Sequence, residues 1–312
     1  MRIIFFGTPQ FASTILHYLI DQKVEVMAVV TRPDKPRGRS GKPAYSPVKE
    51  LALSKNLPIY QPHKASSEAF AAFLRTLDAD FFIVAAYAEI LKQNILDIPR
   101  FGCLNVHGSI LPKYRGAAPV QRAIMAGEKQ TGVTIMKLAL EMDAGDILAI
   151  RKTEITPDMT AGELMEILAD QGKVALFEVM RDIKQGTITP IKQNPSLATF
   201  AKKIKPEDAE VNWTLSAETL HNLIRGVTPN PGAWCWVEIK GEKKRLLLKK
   251  TLLYPTSGLP GDILSQSPTE LIVGCGEGSL RLLEIQLEGK KSLPVDVFLR
   301  GISLEKIRFL VQ

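Results

Sequence analysis

Cysteine is scarce in this chain. Cys103, Cys235 and Cys275 stand far apart in 312 residues, and an odd, sparse set makes no disulfide framework. Histidine is scarce as well. His17, His63, His107 and His221 form no HxxxH pair and join no CxxC, so no structural metal is expected. Long apolar runs are missing: the longest, Phe81–Ala88, falls far short of the ~20 residues a bilayer span needs. The opening MRIIFFGTPQ has one basic residue and an apolar run broken by Gly7, Thr8, Pro9 and Gln10, which excludes a signal-peptide core. Together these absences predict a cytoplasmic protein with reduced thiols. Three sequence fingerprints are missing too. The first strand runs into Gly7-Thr8-Pro9 rather than GxGxxG, and there is neither a GxxxxGK[ST] loop nor a GxSxG elbow.

What is present is an ordinary globular composition, 45% hydrophobic and 23% charged, with a length that suggests about two domains. The net charge of +7 is unevenly placed. Arg32, Lys35, Arg37, Arg39 and Lys42 are opposed only by Asp34. Lys202, Lys203 and Lys205 form a second cluster, and Lys240, Lys243, Lys244, Arg245, Lys249 and Lys250 a third. Separate basic clusters suit a long polyanion better than one small phosphate; each alone reads equally well as a solvated face. Pro33, Pro36, Gly38 and Gly41 in the first cluster argue against helix and strand there.

The first half alternates strand and helix signals. Strands are expected at Ile3–Phe6, Val24–Val30, Phe81–Tyr87, Cys103–His107, Val133–Leu138 and Ile147–Ile155. Helices are expected at Phe11–Ile20, after Ser46-Pro47, at Ser67–Leu77, near Ile95, at Val120–Met125 and at Thr160–Lys184. Such alternation implies an α/β domain with a Rossmann-like, mostly parallel sheet. After residues 190–208, which read as a linker, one helical segment (Ala217–Ile224) precedes short strands near Trp234–Ile239, Arg245–Lys250, Ile263–Leu264, Leu271–Val273 and Leu280–Ile285. These suggest a small OB-like β-barrel over 209–312. Trp213, Trp234 and Trp236 are expected in its core rather than as stacking residues.

The run CLNVHGSILPKYRGAAP over 103–119 carries the chemistry. Asn105 and His107 share one face of a strand and stand at its carboxyl end, where open α/β sheets bind ligands. An amide beside an imidazole suits a carbonyl that becomes an oxyanion. A turn-capping Asn and a satisfied buried His fit the spacing equally well. Cys103 lies on the same face, where packing is expected of it. Asp143, in EMDAGD, precedes a small residue and a glycine, so the backbone there can turn tightly and approach a ligand. Its carboxylate is either an orienting partner for an imidazole or a plain turn residue.

NVHGSILPKYRGAAP followed by TGVTIMKLALEMDAGDIL resembles the folate-dependent formyltransferase family. The likeness extends to MRIIFFGTPQFA, RPDKPRGRSGKPAYSPVK, VAAYAEIL, TFAKKI, NPGAW and GEGSLRLLEIQLEGKK, and so covers essentially the whole chain. The resemblance implies a formyltransferase domain over 1–189 and a tRNA-binding, OB-like domain over 209–312. It implies 10-formyltetrahydrofolate as co-substrate and the amino group of methionine on initiator tRNA as acceptor. It places the catalytic roles on Asn105, His107 and Asp143, folate binding on Tyr87 and the loop Ser109-Ile110-Leu111-Pro112, and tRNA binding on Arg37, Arg39, Lys42, Lys203 and Lys244. A monomer is expected. Two departures stand out: Ile110 replaces the family's usual Leu, and Ala88-Glu89 follow Tyr87 where members often have glycine. A relative acting on another amine would keep Asn105, His107 and Asp143 but have no use for the basic loop or the barrel. An inactive nucleic-acid-binding module would have no use for the three.

Overall fold

The computed structural model describes residues 1–36, 43–87 and 89–311. The chain divides into two compact units. One is Met1–Pro119, Gln130–Glu154 and Met165–Ala201; the other is Val120–Lys129, Ile155–Leu164 and Lys202–Gln312.

The first unit opens with β1 (Arg2–Gly7), α1 (Gln10–Asp21) and β2 (Glu25–Val30), followed by the short β3 (Lys35–Pro36) and β4 (Pro43–Ala44). Next come α2 (Pro47–Ser54), β5 (Ile59–Tyr60), α3 (Glu68–Thr76), β6 (Phe81–Ala85), α4 (Gln93–Leu96), β7 (Cys103–His107) and β8 (Arg115–Gly116). After α5 (Pro119–Met125), which apart from Pro119 belongs to the second unit, follow β9 (Gln130–Lys137), β10 (Ile147–Glu154), α6 (Ala161–Gln185) and β11 (Phe200–Ala201). The Ser46 N-cap holds, its Oγ accepting from the Lys49 amide at 3.1 Å, and Ser67 caps α3 in the same way, its Oγ accepting from the Phe70 amide at 3.4 Å. Apolar runs such as FFIVA become fully buried strands, as strands covered on both faces must.

The main sheet has the order β10-β9-β7-β6-β1-β2-β5. From β7 to β5 all pairings are parallel, whereas β9 and β10 run antiparallel at one edge. An apolar pattern reports burial and not direction, so only the mostly parallel character was readable. Helix α6 lies close on β7 and β9: a Cβ at Gly172 would come within 2.8 Å of Val106 and 3.1 Å of Val133. On the other face Phe6, Phe82, Val84 and Cys103 pack with Ala71, Leu74 and Ile95.

The basic stretch corrects one expectation. Lys35 and Pro36 pair antiparallel with Ala44 and Pro43, since a two-residue edge pair tolerates proline's missing donor. The stretch read as a linker is fastened along its length. Ile191 exchanges two backbone hydrogen bonds of 2.8 Å with Ile147, and β11 pairs with β8. Further on, Arg122 Nε donates to the Lys202 carbonyl at 3.2 Å.

In the second unit α7 (Ala217–Gly226) precedes β12 (Ala233–Ile239), β13 (Glu242–Tyr254), β14 (Leu271–Gly274), β15 (Ser279–Leu287), β16 (Leu293–Pro294), α8 (Val295–Leu299) and β17 (Ile307–Phe309). The strands form an antiparallel half-barrel in the order β14-β15-β13-β12-β17, with β16 on β15. β13 is longer than the sequence suggested, because register shifts near Lys250 let one strand bend and keep pairing. Ile263–Leu264 contributes only a bridge from Ile263 to Val273. Trp213 is fully buried and meets Phe309 edge-on at 5.2 Å.

Candidate active site

Strand alternation sets the site. On β7, Cys103, Asn105 and His107 face one way. The Cys103 thiol lies in the core beside the Leu96 carbonyl at 3.7 Å. Burial first, and then the charge of Asp97, push its pKa up to about 12, so it packs and does not react. Asn105 and His107 continue along that face to the end of the strand, both buried.

Asp143 meets them there. Its Oδ1 lies 3.5 Å from Asn105 Nδ2 and its Oδ2 3.6 Å from His107 Nδ1. The other imidazole nitrogen, Nε2, is 3.0 Å from the Tyr114 carbonyl. A carbonyl only accepts, so Nε2 carries a proton and Nδ1 is the nitrogen that faces Asp143. Asp143 Oδ2 also accepts the Gly116 N–H at 2.8 Å. Gly116 has φ +123°, and a Cβ there would sit 2.8 Å from the Ala201 carbonyl oxygen; only glycine lets β8 and β11 close and still aims that N–H at Asp143.

Asp143 itself is left-handed, with φ +50°. The nearby glycine serves differently from the sequence reading. A Cβ at Gly145 would fall 1.8 Å from the Lys137 carbonyl oxygen, so its close approach is to the backbone of β9 and not to a ligand. The Tyr114 carbonyl and the Gly116 N–H were missed, because backbone groups carry no side-chain signature. The RG of KYRGAAP was the available clue.

The loop after β7 spends its side chains on itself. Ser109 is fully buried, and its Oγ donates to the Lys113 carbonyl at 2.7 Å. Leu111 packs with Met136 and Ile147, and the Ser109 carbonyl accepts from Thr134 Oγ1 at 2.6 Å. Ile110 and Pro112 are half-buried. Tyr87 lies past the end of β6, edge-on to Phe6 at 5.6 Å. Burial, then the Glu89 charge, push its phenol up to about 12. Ala88 lies outside the described residues, while Glu89 Oε1 accepts the Ala65 N–H at 2.8 Å.

Of the residues expected to hold tRNA, Arg37, Arg39 and Lys42 lie outside the described residues. Lys203 is exposed, and Lys244 pairs with Glu242 at 2.8 Å. Trp213 is core as expected; on β12, Trp234 is half-buried and packs against that core, and Trp236 is half-buried. Arg245 covers the Trp234 ring at 4.0 Å and Lys243 the Trp236 ring at 4.5 Å. Among the described residues, no group of three or more His, Cys, Asp or Glu side chains gathers as a metal site. No described helix is long and apolar enough to cross a membrane.

Fold and site define a two-part α/β protein with an amide, an imidazole and a carboxylate gathered at the carboxyl end of a sheet strand. Residues 1–180 match the family model described as formyl transferase, and residues 203–303 match the one described as formyl transferase, C-terminal domain. The chain belongs to the formyl transferase family. It is 49% identical to the methionyl-tRNA formyltransferase of Protochlamydia amoebophila, over 100% of this chain and 98% of that one. Among solved structures, the methionyl-tRNA formyltransferase from Clostridium thermocellum aligns with TM-score 0.56 at 19% identity, over 81% of this chain and 94% of that one. A sugar 3N-formyl transferase solved in the presence of dTDP and 5-N-formyl-THF aligns with TM-score 0.66 at 18% identity, over 93% of this chain and 99% of that one.

Proposed function

We propose that this chain transfers the formyl group of 10-formyltetrahydrofolate to the amino group of methionine on initiator tRNA, for translation initiation, as a cytoplasmic monomer. In this reading 1–189 is the catalytic domain and 209–312 the tRNA-binding domain. The observation that carries it is the meeting of Asn105, His107 and Asp143 at the carboxyl end of β7, in a chain so close to its curated relative over its full length.

The folate supplies an activated one-carbon unit. Tyr87 and the backbone of residues 109–112 would hold it. The Thr8 hydroxyl, buried without a protein partner just past the end of β1, fits a polar ligand at this edge of the sheet.

The attacking group is an α-amine, whose ordinary pKa of about 7.7–8.0 falls on esterification, so no strong base is needed to create the nucleophile. As the amine nitrogen bonds to the formyl carbon, negative charge gathers on oxygen and the amine turns acidic. Asn105 donates its amide N–H to that oxygen. His107 helps hold it and relays a proton to the folate nitrogen that bore the formyl group; as the oxyanion collapses, the bond from that nitrogen to the formyl carbon breaks, tetrahydrofolate leaves, and the formyl group stays on the methionine nitrogen. Asp143 pairs with His107 and, directly or through water, takes the proton from the amine. Arg37, Arg39, Lys42, Lys203 and Lys244 hold the tRNA backbone.

The test is formyl transfer to charged initiator tRNA, free methionine and an amino sugar in parallel. Transfer to the charged tRNA should dominate; equal transfer to free methionine or to the sugar overturns the acceptor assignment.

A further inference from the structure

We infer that Gln193, gripped by the buried Arg115, is the positioning residue that holds Asp143 against His107; the inference rests on the functional reading above. Asp143 sits in a left-handed backbone at the end of a turn whose preceding residues, Leu140 and Met142, are exposed. A non-glycine residue in that conformation persists only where its surroundings over-determine it.

Gln193 is what over-determines it. Its Nε2 donates to the Asp143 carbonyl at 2.8 Å and to the Gly145 carbonyl at 2.7 Å, spanning the turn. Its Oε1 accepts from Arg115 Nε at 3.1 Å and Nη2 at 2.9 Å. A flipped amide would set oxygen against two carbonyls and nitrogen against a guanidinium, so the orientation is fixed by chemistry. Arg115 is itself 2% exposed, and its Nη1 meets Glu141 of the same turn at 3.0 Å.

The segment carrying Gln193 also fixes the other half of the site. Thr199 accepts the Tyr114 N–H on Oγ1 at 2.8 Å and the Arg115 N–H on its carbonyl at 2.8 Å. Tyr114 supplies the carbonyl that takes His107 Nε2–H, and Gly116 the N–H that Asp143 accepts. One strap, 191–201, thereby sets both sides of the His107–Asp143 contact. Gln193 touches no reacting atom, and its effect passes through Asp143.

The test compares Gln193→Glu and Gln193→Ala with the wild type in the full chain. Glu keeps an acceptor for Arg115 but cannot donate to the two carbonyls; Ala loses both contacts. Both variants should lower kcat for charged initiator tRNA, by up to roughly 10²-fold for a misplacement near 1 Å, with KM for the tRNA kept. Gln193→Glu should also lose less Tm than Gln193→Ala, because it keeps the Arg115 contact. The Gly116 amide resonance, which reports the bond to Asp143 without turnover, should move in both. Wild-type kcat with an unmoved Gly116 resonance overturns the inference. So does a loss of kcat seen only alongside an equal loss of Tm in both variants, which marks a merely structural role. A wild-type chain that fails to formylate charged tRNA sinks the functional reading instead, and the Gly116 resonance still decides the clamp.

Discussion

Two histidines show how much one partner changes a side chain. His221 has both acceptors on one nitrogen: Nε2 lies 3.2 Å from the Pro157 carbonyl and 3.3 Å from Asp158 Oδ1, while Nδ1 accepts from Thr251 Oγ1 at 2.9 Å. His107 has its two acceptors on opposite nitrogens, the Tyr114 carbonyl at Nε2 and the Asp143 carboxylate near Nδ1. Asn105→Ala should lower formylation turnover by ~10²–10³, the usual loss of an oxyanion donor. His107→Ala should lower it by ~10²–10⁴. A filter-binding assay should find charged-tRNA affinity largely kept in both. Gly145→Ala belongs to this scale as well. Its new Cβ would lie 1.8 Å from the Lys137 carbonyl oxygen, so thermal melting should show a loss of about 1–3 kcal/mol, typical of overpacking, with activity falling as the Asp143 turn shifts.

Among the elements, α7 grips residues 156–159. Arg225, also on α7 and buried, donates from Nη1 to the Met159 carbonyl at 3.0 Å, beside the His221 bond to Pro157. Burial lowers the His221 pKa below its ordinary 6.5, against the raising effect of the Pro157 carbonyl. The folded protein thus holds the ring neutral, while the unfolded chain takes up a proton first as pH falls. The stability contributed is full above the unfolded value and is lost as pH falls through it toward the folded one. Melting curves from about pH 7.5 to about pH 5.5 should show Tm falling more steeply in the wild type than in His221→Gln, where nothing titrates at that position.

Elements were also where the sequence spoke most clearly. Buried strands announced themselves as apolar runs, and Ser46-Pro47 marked its helix because a cap is a local interaction. Asn105 and His107 were legible because alternation puts them on one face, and Asp143 because D-x-G signals a turn. Gln193 and the β8–β11 pair were not. Arg115 and Gln193 are 78 residues apart, and two-residue strands leave no periodicity to detect. Trp234 borders the core as expected, whereas the half-buried Trp236 is covered by the Lys243 cation, which composition does not reveal.

At the scale of the whole molecule, charge governs the partner. An excess of seven positive charges gathered in clusters predicts that tRNA use weakens steeply with salt, since each neutralised phosphate releases counterions. KM for charged tRNA should therefore climb with added KCl; a salt-independent KM refutes the role of the basic clusters. Arg39→Ala should raise that KM with kcat less affected, the opposite of the site substitutions.

The most direct test is the single-turnover rate of formyl transfer to saturating charged initiator tRNA by Asp143→Asn. The asparagine keeps the shape and an acceptor for the Gly116 N–H while removing the charge. The account requires a rate lower by ~10² or more with the tRNA dissociation constant unchanged. A rate equal to that of the wild type would contradict it.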